Sequence, residues 1–250
     1  MVIVFIKHVI AVDSDGGGLF GPTAGYYCTV EQQGRLALHL HGLIFNKKHL
    51  SPQQIKDRLL DPESSFQQSL LAHIDSIRKG EFFGGSKDDV RAKVQIAEDD
   101  PAYISPERTL PKSPPVMCTC STWLSGYHDE IDDILIKSNL HDCFRSLFKK
   151  CKARFPRKCH PISSVDPESG HLNLKKLEPW INDICPPLTY LVRGNTDVTS
   201  ILSGTAMKSC VVYIADYITK TGLKTHVIFD SIKTIFEKIM NLFLFTGKHL

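Results

Sequence analysis

The chain has 250 residues, 42% of them hydrophobic and 23% charged, with 30 Lys+Arg against 27 Asp+Glu and a formal net charge of +3. Such a composition belongs to a folded globular chain and excludes disorder as the default, while a charge so near balance does not by itself announce a nucleic-acid binder. The longest apolar runs, Val2 to Ile6 and Leu242 to Phe245, fall far short of the roughly 20 residues that span a bilayer, and no signal-peptide pattern opens the chain, so an intracellular protein is expected. The eight cysteines then read as thiols rather than a disulfide framework.

A loop dense in turn residues, Asp13 to Pro22, follows the apolar opening. Tyr26 to Val30 is aromatic and β-branched, Gln32-Gln33-Gly34-Arg35 turns the chain, and Leu36 to Phe45 alternates with period two, which predicts a β-hairpin. On its second strand Leu36, Leu38, Leu40 and Ile44 take one face, and His39 and His41 take the other. Ser51-Pro52-Gln53-Gln54 carries the signals of a helix start. A second helix fits Phe66 to Lys79, with Gly80 after its end. From 84 to 115 charges mix, prolines recur and neither periodicity persists, which predicts a linker-like boundary. Beyond it come a short helix over Glu130 to Leu140, a turn-rich stretch at Val165 to Gly170, and helices over Ala206 to Lys220 and Val227 to about Phe243. The division expected is a strand region with its following helices at 1–83, the linker at 84–115, a Cys/His-containing basic segment at 116–170, and a helical region at 171–250.

Three groups of residues carry chemistry. Two imidazoles at i and i+2 on a strand lie on one face, about 7 Å apart along the chain, and both can reach one divalent ion. Glu31, across the turn from His39 and His41, stands to add a carboxylate as third ligand. Two such imidazoles are also what the solvated side of any antiparallel strand can carry. Tyr213 and Tyr217, at i and i+4, share one helix face, with Lys220 one turn further on, so both phenols can serve one site; aromatic residues at that spacing also serve as ordinary core. The third group is Cys118, Cys120, His141, Cys143, Cys151 and Cys159, a donor set that could supply a structural Zn2+, although its one-residue spacings match zinc signatures poorly and free thiols are the alternative. From Lys137 to His160 eight basic residues face one acidic, Asp142, which marks a segment able to meet phosphates.

In order along the chain, Phe5-Ile6-Lys7-His8-Val9, Gly25-Tyr26-Tyr27, Val30 to His41, Cys151 to Arg157, Gly194 to Val198, and Tyr213 to Lys220 followed by Leu223-Lys224-Thr225 resemble the Rep-like (Helitron helicase-like) domain of the Helitron-type rolling-circle transposases. The resemblance implies an HUH endonuclease, with His39 and His41 as its metal ligands and Tyr213 and Tyr217 as its two-tyrosine motif. It implies nicking of single-stranded DNA through a 5′-phosphotyrosine, a Mg2+ or Mn2+ cofactor, and a nuclear location. Glu31 as third ligand follows from the strand argument and from similar Glu-then-His-x-His spacing in viral Rep nickases. Members of the family continue into a helicase domain, but no Gly-x-x-x-x-Gly-Lys-Ser/Thr sequence occurs here, so ATP-driven unwinding is not expected.

The fold expected is α+β: an HUH/Rep-like antiparallel sheet with flanking helices, incomplete at the N-terminus. Arg35, Lys152, Arg154 and Arg157 are the candidates for holding the DNA backbone and Lys220 for offsetting charge on the phosphate, while Tyr26, Tyr27 and Phe155 could stack bases but read first as core. The alternative is a catalytically inactive Helitron-derived remnant that at most binds single-stranded DNA or metal.

Overall fold

The structure is a computed structural model that describes residues 2–12, 14, 16–33, 37–47, 49–61, 64–115, 121–141, 151, 153–219 and 233; of 32, 33, 37, 38 and 214–219 it describes the backbone alone. In chain order its elements begin with α1 (Val2–Val4), which runs into a π turn at Phe5–Ile10, and the strands β1 (Thr23–Gln33) and β2 (Ala37–Asn46). Next come α2 (Pro52–Leu59), α3 (Phe66–Ile77), α4 (Lys87–Glu98), a 3-10 turn at Pro106–Arg108, and α5 (Ser121–Ile134), which continues as a π turn over Leu135–Asn139. The strands β3 (Ser164–Val165) and β4 (Leu172–Asn173) precede the helices α6 (Pro186–Val192) and α7 (Gly204–Thr219). The protein is therefore mixed α+β, with two small antiparallel two-stranded sheets among the described residues. Two compact units divide the chain: Met1–Gln53 together with Leu202–Leu250, and Gln54–Ile201.

In the first unit β1 and β2 form the hairpin, antiparallel and in register from Gly25↔Phe45 to Gln33↔Ala37. Pairing extends into the expected turn at Gln32 to Arg35, through Gln32↔Leu38 and Gln33↔Ala37, and 34–36 lie outside the described residues. Before the hairpin the backbone is tightly folded: Leu19 N–H donates to the Val9 carbonyl at 2.8 Å and Ala11 closes the opening turn from the left-handed region. Gly17 sits at φ +74, and a Cβ there would stand 2.3 Å from the Pro22 nitrogen. Gly17→Ala is therefore expected to destabilise this unit by about 2 kcal/mol or more, through left-handed strain and a backbone clash together. An unchanged urea midpoint for the variant would contradict that.

The second unit packs around Phe82, Val90, Val94, Ile131, Leu135, Ile181, Ile184 and Tyr190. Val90 and Val94 come from α4, so the 84–115 stretch expected as a linker contains a core helix. Its start is fixed by a capping box, in which the Ser86 side chain accepts from Asp89 N–H while the Asp89 carboxylate accepts from Ser86 N–H. The helix expected at Glu130 to Leu140 begins earlier, at Ser121. Weak helix formers in Ser121-Thr122-Trp123-Leu124-Ser125-Gly126 hid that start from a propensity reading; Trp123 stacks on Tyr127, and Tyr127 packs against Tyr190.

The end of α3 departs from expectation in the other direction, stopping at Ile77 rather than Lys79. Arg78 is extended and buried, with its guanidinium 2.6 Å from Asp183 and donating to the Lys175 carbonyl at 2.9 Å. Lys79 then exchanges two 2.8 Å backbone hydrogen bonds with Ile184. The turn-rich stretch at Val165 to Gly170 connects β3 to β4, where the Asp166 carboxylate accepts from the backbone of Glu168 and Ser169. The helix expected over Val227 to Phe243 falls outside the described residues. No helix among the described residues is long and apolar enough to cross a membrane.

Candidate functional site

The hairpin register decides which side chains meet. Glu31 pairs with His39, and Thr29 pairs with His41. Alternation along both strands puts all four side chains on one face. Leu40, opposite Val30, is on the other, as is Cys28, whose sulfur lies against Gly42 and whose thiol pKa is raised by burial. The histidine rings lean together, edge to face, with centroids 4.6 Å apart. Glu31 Oε2 stands 3.5 Å from His41 Nε2.

α7 completes the arrangement. It spans Gly204–Thr219, close to the predicted helix, and the Tyr213 ring meets the His41 ring edge to face with centroids 5.5 Å apart. Tyr213 remains 47% exposed. Tyr217 is one turn along the same helix, and the placement of its side chain lies outside the described residues, as do Lys220, Arg35 and Lys152. Two motifs far apart in sequence thus meet within one compact unit.

The donor set suits a divalent cation of the kind that accepts imidazole and carboxylate together. Two donors each about 2.1 Å from a shared ion, at a tetrahedral angle, lie about 3.4 Å apart. The 3.5 Å gap between Glu31 Oε2 and His41 Nε2 is of that size. Among the described residues, however, no three His, Cys, Asp or Glu side chains stand already gathered as a metal cage. Holding an ion with all three therefore requires their side chains to rearrange.

Arg154, Arg157, Phe155 and the zinc candidates lie in the second unit. Arg154 is exposed and in the left-handed region at φ 63. Arg157 is half-buried, with its guanidinium 4.5 Å from the Phe155 ring centre. Phe155 is buried and stacked on His141, which makes it a core residue rather than a base-stacking surface, whereas Tyr26 and Tyr27 are both exposed. Of the six zinc candidates, His141 Nε2 and Cys151 Sγ come within 3.1 Å of each other. The exposed Cys159 turns its sulfur toward the Arg157 carbonyl, and Cys118, Cys120 and Cys143 fall outside the described residues.

Thr29 was missed by the sequence reading, although its i, i+2 relation to Glu31 already placed both on one strand face. Set against known proteins, the chain matches no family model, no curated protein and no solved structure.

Proposed function

We propose that the chain is an HUH-type single-strand DNA nicking and strand-transfer domain of the Helitron rolling-circle transposases, its hairpin being part of an HUH sheet. The observation that carries this reading is the edge-to-face meeting of His41 and Tyr213, which brings the His-x-His strand and the tyrosine helix together.

In this reading Tyr213 lends its phenol oxygen as nucleophile to a phosphodiester lying on the histidine face. The tyrosine O–P bond forms as the P–O3′ bond breaks, giving a 5′-phosphotyrosine and a free 3′-hydroxyl. The phenol proton passes to solvent and the departing 3′ oxygen takes one from solvent, so no external reactant is consumed. A Mg2+ or Mn2+ ion held by Glu31, His39 and His41 would supply Lewis-acid polarisation of the phosphate oxygen. Tyr217 offers a second phenol for passing the strand on, and Lys220 offsets charge on the phosphate. Arg35, Lys152, Arg154 and Arg157 hold the backbone through contacts that weaken as salt rises.

The test is incubation of the full chain with end-labelled single-stranded oligonucleotides and Mn2+, followed by denaturing electrophoresis. The expected outcome is 3′ end label carried covalently on the protein with Mn2+ and not formed when chelator is present from the start. Binding without an adduct would instead describe a remnant that holds DNA and does not cut it.

A further inference from the structure

Arg193 ends α6, where its backbone is left-handed at φ 57 and its N–H donates to the Thr189 carbonyl at 2.9 Å. Glycine is the usual residue for that conformation and Gly194 stands next in the chain, yet the position is held by an arginine whose side chain is only 6% exposed. Its guanidinium lies over the Tyr190 ring, 4.3 Å from the ring centre, and Nη1 donates to the Glu130 carboxylate. Nε and Nη2 are buried and have no hydrogen-bond partner among the described residues. A guanidinium does not shed its charge, and unmet N–H groups in a protein interior are costly, so two on one side chain call for a reason. Nε–H and the neighbouring Nη2–H point the same way in one plane. They are a fork with which arginine takes a carboxylate or a phosphate through two parallel hydrogen bonds, while Glu130 engages the other end.

Two features choose between those anions. Lys112 Nζ is 3.3 Å from Glu130, so Arg193 and Lys112 set two positive charges against one negative. A monoanion balances that group, whereas a phosphate monoester brings nearly two charges. Because Nε and Nη2 lie beneath the surface, a small flat ligand in the guanidinium plane also needs less room than a tetrahedral one. We propose that Arg193 anchors a binding site for a small carboxylate, which its Nε–H and Nη2–H hold through two parallel hydrogen bonds. The site belongs to the unit Gln54–Ile201 and stands independently of the nicking reaction. Entry requires neighbouring side chains to shift, as they commonly do on binding.

The experiment is titration of the full chain with acetate, chloride and inorganic phosphate at matched ionic strength, read by the 15N–1H NMR signal of Arg193 Nε and by the melting temperature. Acetate is expected to move that signal saturably and to raise the melting temperature, as a ligand of the folded state does. Arg193→Lys keeps the charge and lacks the fork, and should bind acetate about tenfold or more weakly. Should that variant fold poorly, the wild-type signal and melting curve carry the test by themselves. A signal that acetate leaves in place, or moves no further than chloride does, would overturn the inference, the fork then meeting water or an adventitious ion only. Saturable binding of phosphate in preference to acetate would overturn it in favour of a phosphoryl ligand.

Discussion

Replacing Tyr213 and Tyr217 together by phenylalanine should slow covalent attachment of single-stranded DNA by about 10³-fold or more, the scale on which enzymes lose rate when their nucleophile is removed. Phenylalanine keeps the ring, so the edge-to-face contact of position 213 with His41 is retained. Binding of the oligonucleotide, read by fluorescence anisotropy at fixed salt, should therefore stay near the wild-type value. Tyr213→Phe and Tyr217→Phe made singly show which phenol attacks first; the Tyr213 ring is one that meets the His41 ring. Adduct formation at the wild-type rate in the double variant would remove the tyrosines from the chemistry. A parallel loss of binding would give them a structural role instead.

The second large effect concerns stability of the unit Gln54–Ile201. Asp132 of α5 is buried, and its two carboxylate oxygens accept the N–H groups of Phe83 at 2.9 Å and Gly84 at 2.6 Å. Burial outweighs those hydrogen bonds and pushes the carboxyl up to about 6, from an ordinary 3.8. The folded state thus holds this proton more tightly than the unfolded chain does. The contribution of Asp132 to stability is then greatest below about pH 4, declines as pH rises toward 6, and is level above that. A shift of this size corresponds to a decline on the order of 3 kcal/mol. Asp132→Asn cannot titrate and should lose that slope. At pH 4 it should be less stable than the wild type by about 1–3 kcal/mol, since its amide accepts only one of the two backbone N–H groups. At pH 7 the gap should narrow, because there the wild type buries a charge. Urea denaturation at pH 4, 5, 6 and 7 measures both; equal slopes for the two proteins would contradict the assignment.

The parts of the fold legible in the sequence are those whose signals are local. Period-two alternation and a turn between two apolar runs define the hairpin, and helical spacing defines α7. α4 was hidden because its exposed face is densely charged, leaving only Val90 and Val94 to mark the core side. The division of the chain was not legible for a different reason. The first unit is built from two separated stretches, Met1–Gln53 and Leu202–Leu250, and no local change of composition records that a chain returns to an earlier part of itself.

The candidate site shows the same limit. Residue types and strand geometry nominated Glu31, His39 and His41, but the sequence left open whether Glu31 lay opposite the pair; the Glu31↔His39 register supplies that. The contact of Tyr213 with His41 is tertiary, and neither motif contains it.

In the proposed function the histidine face and the tyrosine helix form one metal-dependent nicking site. The most direct measurement is peptide mass spectrometry of the full chain after incubation with a single-stranded oligonucleotide and Mn2+. The predicted result is a nucleotide phosphate attached to the phenol of Tyr213 or Tyr217, present with Mn2+ and absent with chelator or in His41→Ala. Efficient binding with no nucleotide on either tyrosine, or an adduct indifferent to His41, would contradict it.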